Sequence, residues 1–371
     1  MVMNYSITVK LINNHSLKAG NQTETESILT TGKQQKLIFT GLVLLVIIFL
    51  ILDVFFGSVS INASEVFKAF FQNTDSNFKT IILDFRVPKA ITALIVGIAL
   101  SLSGLQMQTV FRNPMAGPDV LGISSGASLG VAFVILGFSA NISPDSLKGL
   151  GNWILVVASW VGAGSVMILI MFISSRVKEI MTILIIGIML SSGISAIVTI
   201  MQYFSNESML KAYVIWTMGS LGNLTSGQLN VLLICVSAGI LLSLISAKML
   251  NALSLGENYA RSIGLNVRFS RVVIFACTSI LAGSVTAFCG PIGFIGIAVP
   301  HISRILLKTS DHKILIPGTI LTGGVVMLIS DIISQLPGSN SVLPVNSVTS
   351  LLGIPVVIWV ILRNRKYSGV F

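Results

Sequence analysis

The sequence predicts an all-α, polytopic membrane protein. Only 10% of the 371 residues are charged, whereas a soluble domain has about 25%. Hydrophobic residues make up 53% of the chain, and the mean hydropathy is +0.91. These residues are gathered in runs of about 17–25, the length at which a helix crosses a bilayer. Together the three observations place the chain in a membrane.

The first 36 residues are polar and rich in Asn, Thr and Ser. They contain no apolar stretch that could serve as the core of a signal peptide, and we predict that residues 1–36 form a disordered cytoplasmic tail. The first apolar run, 37–56, follows Lys33 and Lys36 and is too long for a signal-peptide core. We therefore interpret it as an uncleaved first span.

Ten apolar runs are predicted to span the bilayer, and together they form one transmembrane domain, 37–363. A short cytoplasmic tail, 364–371, follows this domain. The runs are 37–56, 90–111, 118–138, 153–173, 180–203, 228–249, 270–289, 292–307, 314–334 and 347–362. The third run is rich in Gly, Ser and Pro, and the eighth is short and follows Gly290-Pro291. Irregular backbone at membrane depth requires surrounding protein, so both are expected inside the bundle.

The basic residues indicate the orientation of the chain. Ten spans place both termini on one side, and most of the 23 Lys and Arg residues lie on that side. Six lie on the other side: Lys68, Lys79, Arg86, Lys89, Lys148 and Lys211. By the positive-inside rule, both termini and the loop 253–271 are cytoplasmic. The net charge of +10 therefore reflects membrane topology, and no nucleic-acid partner is predicted.

The sequence has none of the patterns expected of a catalytic or metal site. It has no GxxxxGK[ST] phosphate-binding loop and no HExxH. The histidines are far apart: His15, His301 and His312. The cysteines lie in apolar runs without CxxC spacing: Cys235, Cys277 and Cys289. We expect no catalytic residue, no metal ligand and no cofactor bound by this chain.

Ionisable residues within the membrane would indicate an ion-coupled secondary transporter. The candidates are Asp331, near the outer end of the ninth span, and Asp53, near the outer end of the first. We expect Asp331 to be hydrated or bonded to neighbouring backbone, and no intramembrane acid–base pair is evident. This pattern argues against a secondary transporter, which nevertheless stays open as an alternative of a different class.

The fifth span carries a strip of small residues. Gly187, Ser191 and Ser195 recur every four residues within 180–203. Small residues at that spacing let helices approach closely. The functional alternative is a weakly polar face that lines a wide path, and the two interpretations are compatible.

The loop 253–271, LSLGENYARSIGLNVRFSR, is a polar, basic segment between two apolar runs. Ser254 and Glu257 have the spacing of a capping box. Gly264 predicts a left-handed helix end, and Asn266 can cap a second short turn. We therefore predict two short helices at the membrane surface. A plain connector would need fewer residues, so we expect a contact with a partner, with a solvated basic loop as the alternative.

On the external side, the segment DFRVPKA leads into the second span. Pro88 favours an extended residue before it and the start of a helix after it. This places Arg86 and Lys89 at the outer surface of the membrane. The two cations could contact lipid headgroups or dock an acidic partner.

Several motifs, taken together and in order, resemble one known family. They are RVPKAITALIVGIALSLSGLQMQTVFRNPMAGPDVLGISSGA at 86–127, WTMGSLGN at 216–223, LGENYARSIGL at 255–265, GPIGFIGIAVPHISR at 290–304, DHKILIPG at 311–318 and LPVNSVTSLLGIPVVIWVI at 343–361. From about residue 80 onward, the chain resembles the permease subunits of ABC importers for iron chelates, haem and cobalamin, the FecCD family.

The resemblance implies a type II ABC importer permease-like bundle of ten spans. It implies a homodimer in the bacterial cytoplasmic (inner) membrane, with a translocation path along the two-fold axis. Each subunit would bind a cytoplasmic ATPase, which holds ATP and Mg, and an external (periplasmic) binding protein would deliver the substrate. The chain would then be a transport subunit and not an enzyme. An iron chelate, siderophore or haem, is the predicted substrate, with cobalamin as the alternative.

The resemblance also implies roles for individual residues. ATPase coupling falls on Gly256, Glu257, Ala260, Arg261, Gly264 and Leu265. Docking of the binding protein falls on Arg86 and Lys89, and a cytoplasmic gate falls on Ile180 and Met181. The gate of the cobalamin importer has small hydroxyl residues, whereas these two are larger and apolar, so closure here would depend more on packing and dewetting.

Three positions depart from the family pattern. Gln335 stands where the cobalamin importer has a further docking arginine. Val342 and Asn346 replace the acid and the glycine of an E-L-P-x-G pattern before the last span. The sequence offers no account of what these departures do.

Overall fold

A computed structural model describes residues 33–57, 59, 61–71, 77–137, 153–177, 179–336 and 341–365. The regular secondary structure of these residues is helical. Residues 33–36, assigned above to the tail, belong to the first helix, and residues 364–365 belong to the last. The remainder of both predicted tails lies outside the described residues.

The first half of the chain contains α1 (Lys33–Phe55), α2 (Ala63–Phe71), α3 (Val87–Val110), α4 (Ile123–Ile135), α5 (Trp153–Arg176), α6 (Ile180–Tyr203) and α7 (Glu207–Thr217). The second half contains α8 (Ser226–Ile245), α9 (Ala247–Ser254), α10 (Glu257–Ser262), α11 (Val267–Cys289), α12 (Ile295–Leu307), α13 (His312–Ser334) and α14 (Val345–Arg365). A π-helical segment, Ile81–Arg86, runs directly into α3.

Seven of the predicted spans are long, apolar helices among the described residues: α1, α3 with the segment before it, α5, α6, α8, α11 and α13. The other three correspond to the shorter apolar helices α4, α12 and the first part of α14. α4 is short because a 3₁₀ turn, Pro118–Leu121, and the left-handed Gly122 precede it. α12 is short because Phe294, with φ of 66°, interrupts the backbone before it. The count of ten spans therefore stays a prediction.

Helix α3 lies at the centre of the bundle. Eighteen of its 24 residues are buried, and it packs against α11, α12 and α13. Two glycines make this packing possible: a Cβ at Gly104 would lie 1.7 Å from the carbonyl oxygen of Gly296, and one at Gly97 would lie 2.3 Å from that of Gly323. Backbone touches backbone at both crossings, as is common where membrane helices associate.

Candidate functional site

One short helix, α10, lies within the loop 253–271, and not the two that were predicted there; a second short helix, α9, precedes the loop and ends inside it. α9 ends at Ser254, and α10 covers Glu257–Ser262. Gly256 joins them with φ of 113°, a conformation that L side chains rarely adopt. We refer to the end of the bundle that carries this loop as the loop side.

The predicted capping box between Ser254 and Glu257 is wrong. The Ser254 hydroxyl donates to the carbonyl of Asn251 at 2.7 Å, and no side chain caps α10. The Glu257 carboxylate instead accepts from the guanidinium of Arg271, whose side chain is 4% exposed, and from that of Arg261 at 3.4 Å. A charge-assisted bond to a buried guanidinium is stronger than a bond to a backbone amide. It ties α10 to α11.

Gly264 ends α10 with φ of 85°, as predicted. The amide of Leu265 then donates to the carbonyl of the buried Ala260 at 2.9 Å, which closes the helix end. Asn266 is a cap, since its Oδ1 accepts from the amide of Phe269 at 3.1 Å. However, the helix that it caps is the long α11, and not a second short turn. α10 and α11 are thus joined by a tight, capped turn and by an ion pair.

The loop presents an apolar face that the sequence analysis did not single out. Leu255, Tyr259 and Ile263 are 64%, 49% and 56% exposed. Large apolar side chains grouped on a polar loop mark a contact site. Their spacing of four residues was visible in the sequence and could have identified them.

On the opposite side, Arg86 points into the protein. Its side chain is 7% exposed, and its guanidinium donates to the carbonyls of Val54 at 3.1 Å and Phe55 at 2.8 Å, and to that of Val59. Arg86 therefore closes the end of α1 against α3. A docking role for Arg86 and Lys89 stays a prediction, and in this structure both cations make contacts within the chain.

Lys89 forms an acid–base pair with Asp331, contrary to the expectation from sequence. The Nζ atom lies 3.0 Å from Oδ1 of Asp331, and the Asp331 side chain is fully buried. Gln335 Nε2 donates to Asp331 Oδ2 at 3.1 Å and to Asp53 Oδ1 at 2.9 Å. The expectation that Asp331 is hydrated or bonded to neighbouring backbone is wrong, because α1, α3 and α13 enclose it. We call these four side chains the carboxylate cluster.

The structure gives a local account of two departures from the family pattern. Gln335 bridges two buried carboxylates, which its amide can do by donating twice. Asn346 Oδ1 accepts from the amide of Gly293 at 3.0 Å and so fixes the irregular segment before α12 to the start of α14. Val342 is 58% exposed and makes no contact that explains its presence.

The small residues of α6 divide into two groups. A Cβ at Gly187 would lie 2.2 Å from the carbonyl of Val120, so Gly187 serves close packing against the 3₁₀ turn. Ser191 lies beside it and donates to the Gly187 carbonyl at 2.9 Å. Ser195, one turn further on, lines a cavity. Both interpretations of the strip therefore apply, at different positions.

The cavity at Ser195 has a volume of about 550 Å³. Its described lining is rich in hydroxyl groups and includes one carboxylate, Asp119, but no Lys, Arg or His. The hydroxyls come from α4, α6, α7 and α14: Ser124, Ser125, Ser128, Ser195, Thr199, Tyr213, Thr217 and Ser350. Such a surface can contact a polar solute without holding it by a strong ion pair.

The predicted gate residues lie at the first turn of α6. Ile180 is half-buried and packs against the core, and Met181 is 42% exposed. They lie on the loop side, where a gate to the cytoplasm is expected. The gating role stays a prediction.

These features define a class of protein: a helical, multi-pass membrane protein with a polar cavity among its helices and a structured loop on one side. The FecCD transport family matches residues 44–363. A hemin transport system permease protein of Yersinia pestis is 35% identical, over 90% of this chain and 98% of the relative. A vitamin B12 import system permease protein of Escherichia coli is 35% identical, over 77% of this chain and 84% of the relative.

A solved structure supports the same assignment. It is an inward-facing conformation of a metal-chelate type ABC transporter, 27% identical, with a TM-score of 0.75 over 88% of this chain and 99% of that one. The chain therefore belongs to the FecCD transport family and is a permease of the ABC transporter type.

Proposed function

We propose that the chain imports an iron chelate, siderophore or haem, into the cytoplasm by ATP-driven alternating access. In this proposal two copies form a homodimer in the inner membrane. A cytoplasmic ATPase binds each copy and carries ATP and Mg, and an external binding protein delivers the chelate. The observation that carries the proposal is the loop 253–271, whose apolar face is exposed and whose helix α10 is fixed to the span α11.

The loop is built to transmit movement. When the two ATPases close on ATP, a displacement of α10 reaches α11 through the Glu257–Arg271 ion pair and the Gly264–Asn266 turn. Rigid elements with two arrangements can convert such a local shift into opening of a path. The other residues assigned to coupling lie in α10 or directly beside it: Gly256, Ala260, Arg261 and Leu265.

In this proposal, the cavity lined by Ser195 forms part of the translocation path for the chelate. The hydroxyl groups of the cavity offer many weak contacts. Its described lining has no basic group that would retain a chelate. A conduit must bind weakly enough to release its solute. Cobalamin is the alternative substrate in the same family, and the hydroxyl-rich lining is compatible with either.

Affinity purification from native membranes tests the proposal. The chain is tagged, extracted in a mild detergent and analysed by quantitative mass spectrometry for proteins that co-purify. We expect an ATPase with a phosphate-binding loop at one copy per copy of this chain. The absence of such a subunit, under conditions that preserve a known ABC transporter complex, would contradict the proposal.

The carboxylate cluster favours a second candidate function, an ion-coupled secondary transporter. Buried ionisable groups within a membrane often mark ion pathways, and Asp53, Asp331 and Lys89 lie together. Uptake into cells separates the two candidates. An ABC importer loses uptake when ATP is depleted and keeps it when a protonophore collapses the proton gradient, and a proton-coupled carrier shows the reverse.

A further inference from the structure

A second polar cavity, of about 280 Å³, lies on the loop side where α3, α12 and the start of α13 meet α9. Two guanidinium groups line it, those of Arg112 and Arg304. Ser254 and Ser310 add hydroxyl groups. The cavity is separate from the path lined by Ser195 and plays no part in the function proposed above.

Neither guanidinium is neutralised within the described part of the chain. No ion pair there includes Arg112 or Arg304. Arg304 donates to Gln108 Oε1 at 2.6 Å, which is a neutral acceptor. The cavity thus gathers two positive charges and provides no anion for them.

The nearby Asp311 is engaged elsewhere. Its Oδ1 accepts from Asn251 Nδ2 at 2.6 Å and from the amide of Lys313 at 3.0 Å. The hydrogen bond from Asn251, and then that from the Lys313 amide, lower the pKa of the Asp311 carboxyl below its usual value. The carboxylate of Asp311 therefore binds these two donors, and it forms no ion pair with either guanidinium.

The walls of the cavity are held in place by hydrogen bonds. The ring of His312 lies between Thr109, at 2.8 Å from Nε2, and Asn251 Oδ1, at 2.7 Å from Nδ1. Arg112 adopts φ of 48°, a left-handed conformation that a non-glycine residue keeps only where its surroundings demand it. Its Nη1 would be 3.5 Å from a Cβ at Gly256, so the guanidinium lies against the loop that we assign to ATPase coupling.

We propose that this cavity receives an acidic side chain of the cytoplasmic ATPase, as a docking contact separate from the apolar face of the loop. The proposal rests on the function proposed above. Two guanidiniums suit a carboxylate because their planar forks can each donate twice. The hydroxyl of Ser310 can donate as well. The position beside Gly256 favours the ATPase over lipid, because the same partner would already cover the loop.

Salt-dependent retention of the ATPase tests the proposal. The tagged full chain, with its co-purifying ATPase, is washed at increasing salt as wild type, as the double variant R112Q/R304Q and as K313Q. Lys313 is exposed on the same side and does not line the cavity, so K313Q removes a charge without touching the site. We expect the double variant to retain at least about tenfold less ATPase than K313Q at moderate salt, since the loss of one partner of a close charge pair speeds dissociation.

A charge-conserving variant separates docking from folding. R112K/R304K keeps both charges, and we expect it to retain most of the ATPase and to elute as one peak with the wild type. If R112Q/R304Q retains as much ATPase as K313Q at every salt concentration, the docking site is refuted and the permease assignment stands. If wild type itself retains none, both proposals fall.

Cross-linking identifies the group that enters the cavity. In the R112K variant, a zero-length carbodiimide joins the new amine to a carboxylate only if the two are in contact. We expect a cross-linked peptide between position 112 and an Asp or Glu of the ATPase. A phospholipid that co-purifies with wild type and is lost from R112Q/R304Q, with unchanged ATPase retention, would assign the cavity to a lipid phosphate and overturn the proposal.

Discussion

At the residue scale, Glu257 is the residue that connects α10 to α11 by an ion pair. Its carboxylate binds the nearly buried guanidinium of Arg271 and, at 3.4 Å, the exposed guanidinium of Arg261. Removing one partner of a buried charge pair is costly because the other charge stays buried. An exposed pair one turn apart on a helix contributes only about 0.3–0.5 kcal/mol.

We therefore predict that E257Q uncouples ATP hydrolysis from uptake. In proteoliposomes with the co-purified ATPase, hydrolysis should persist while uptake falls at least about tenfold, the factor that corresponds to 1.4 kcal/mol of lost coupling. E65Q is the matched control, because it breaks only the surface pair of Glu65 with Lys68 on α2, away from the loop, and its uptake should stay within about twofold of wild type. Normal coupling in E257Q would remove the role assigned to this contact.

The two acids of the carboxylate cluster should differ in their effect on stability. Asp331 is the carboxylate that pairs with Lys89, whereas Asp53 Oδ1 accepts from Gln335 and its Oδ2 has no hydrogen-bond partner. D331N removes the buried carboxylate that contacts the Lys89 ammonium at 3.0 Å and should cost about 3 kcal/mol. D53N keeps an acceptor for Gln335 and should cost much less. Thermal unfolding of the two variants in detergent checks this, and equal shifts would contradict it.

Which residue contacts could be predicted depended on their separation along the chain. Gly264 and Asn266 act on backbone groups within a few residues, so local pattern sufficed for both. Glu257 and Arg271 are 14 residues apart and lie on different helices. The capping box was therefore wrong, because a longer-range partner took the carboxylate. The carboxylate cluster was missed for the same reason.

At the scale of elements, the apolar runs predicted where helices lie, but not how long each one is. The third and eighth runs were recognised as irregular from their Gly, Ser and Pro content. Their helices are short because the 3₁₀ turn Pro118–Leu121 and the residues before Ile295 leave the helical conformation. Composition records that a run is apolar, whereas these interruptions depend on contacts such as that of Asn346 with Gly293.

The crossing of α3 and α12 gives a prediction at this scale. G104V places a side chain where the Gly296 carbonyl lies 1.7 Å from the Cβ position, so the two helices must separate. Overpacking costs about 1–3 kcal/mol or more where side chains can adjust, and backbone cannot move aside as a flexible side chain can. We expect a severe loss of monodisperse protein after extraction, measured by size-exclusion chromatography.

G164V on α5 is the matched control for this variant. A Cβ at Gly164 meets nothing within 4 Å, so the same substitution should leave the yield of folded protein nearly unchanged. Equal losses in the two variants would show that the damage comes from introducing valine into a helix, and not from the crossing.

At the scale of the whole molecule, the polar cavity is the feature that sequence could not assemble. Its hydroxyls come from four helices, and only Ser195 was singled out, as part of a strip on α6. Serine and threonine are common in membrane helices as packing residues. Their convergence on one cavity follows from the positions of α4, α6, α7 and α14, which no single run contains.

The orientation of the molecule is the prediction on which the proposed function depends. Lys68 on α2 is about half exposed, and Lys313 on α13 is exposed on the opposite side of the bundle. A thiol reagent that cannot cross the membrane should label K68C in intact spheroplasts and should label K313C only after lysis, each measured against the unmodified chain. The excess of Lys and Arg on the loop side is the physical reason. The reverse labelling would place α10 outside the cell, where no ATPase could reach it, and the proposed coupling would be impossible.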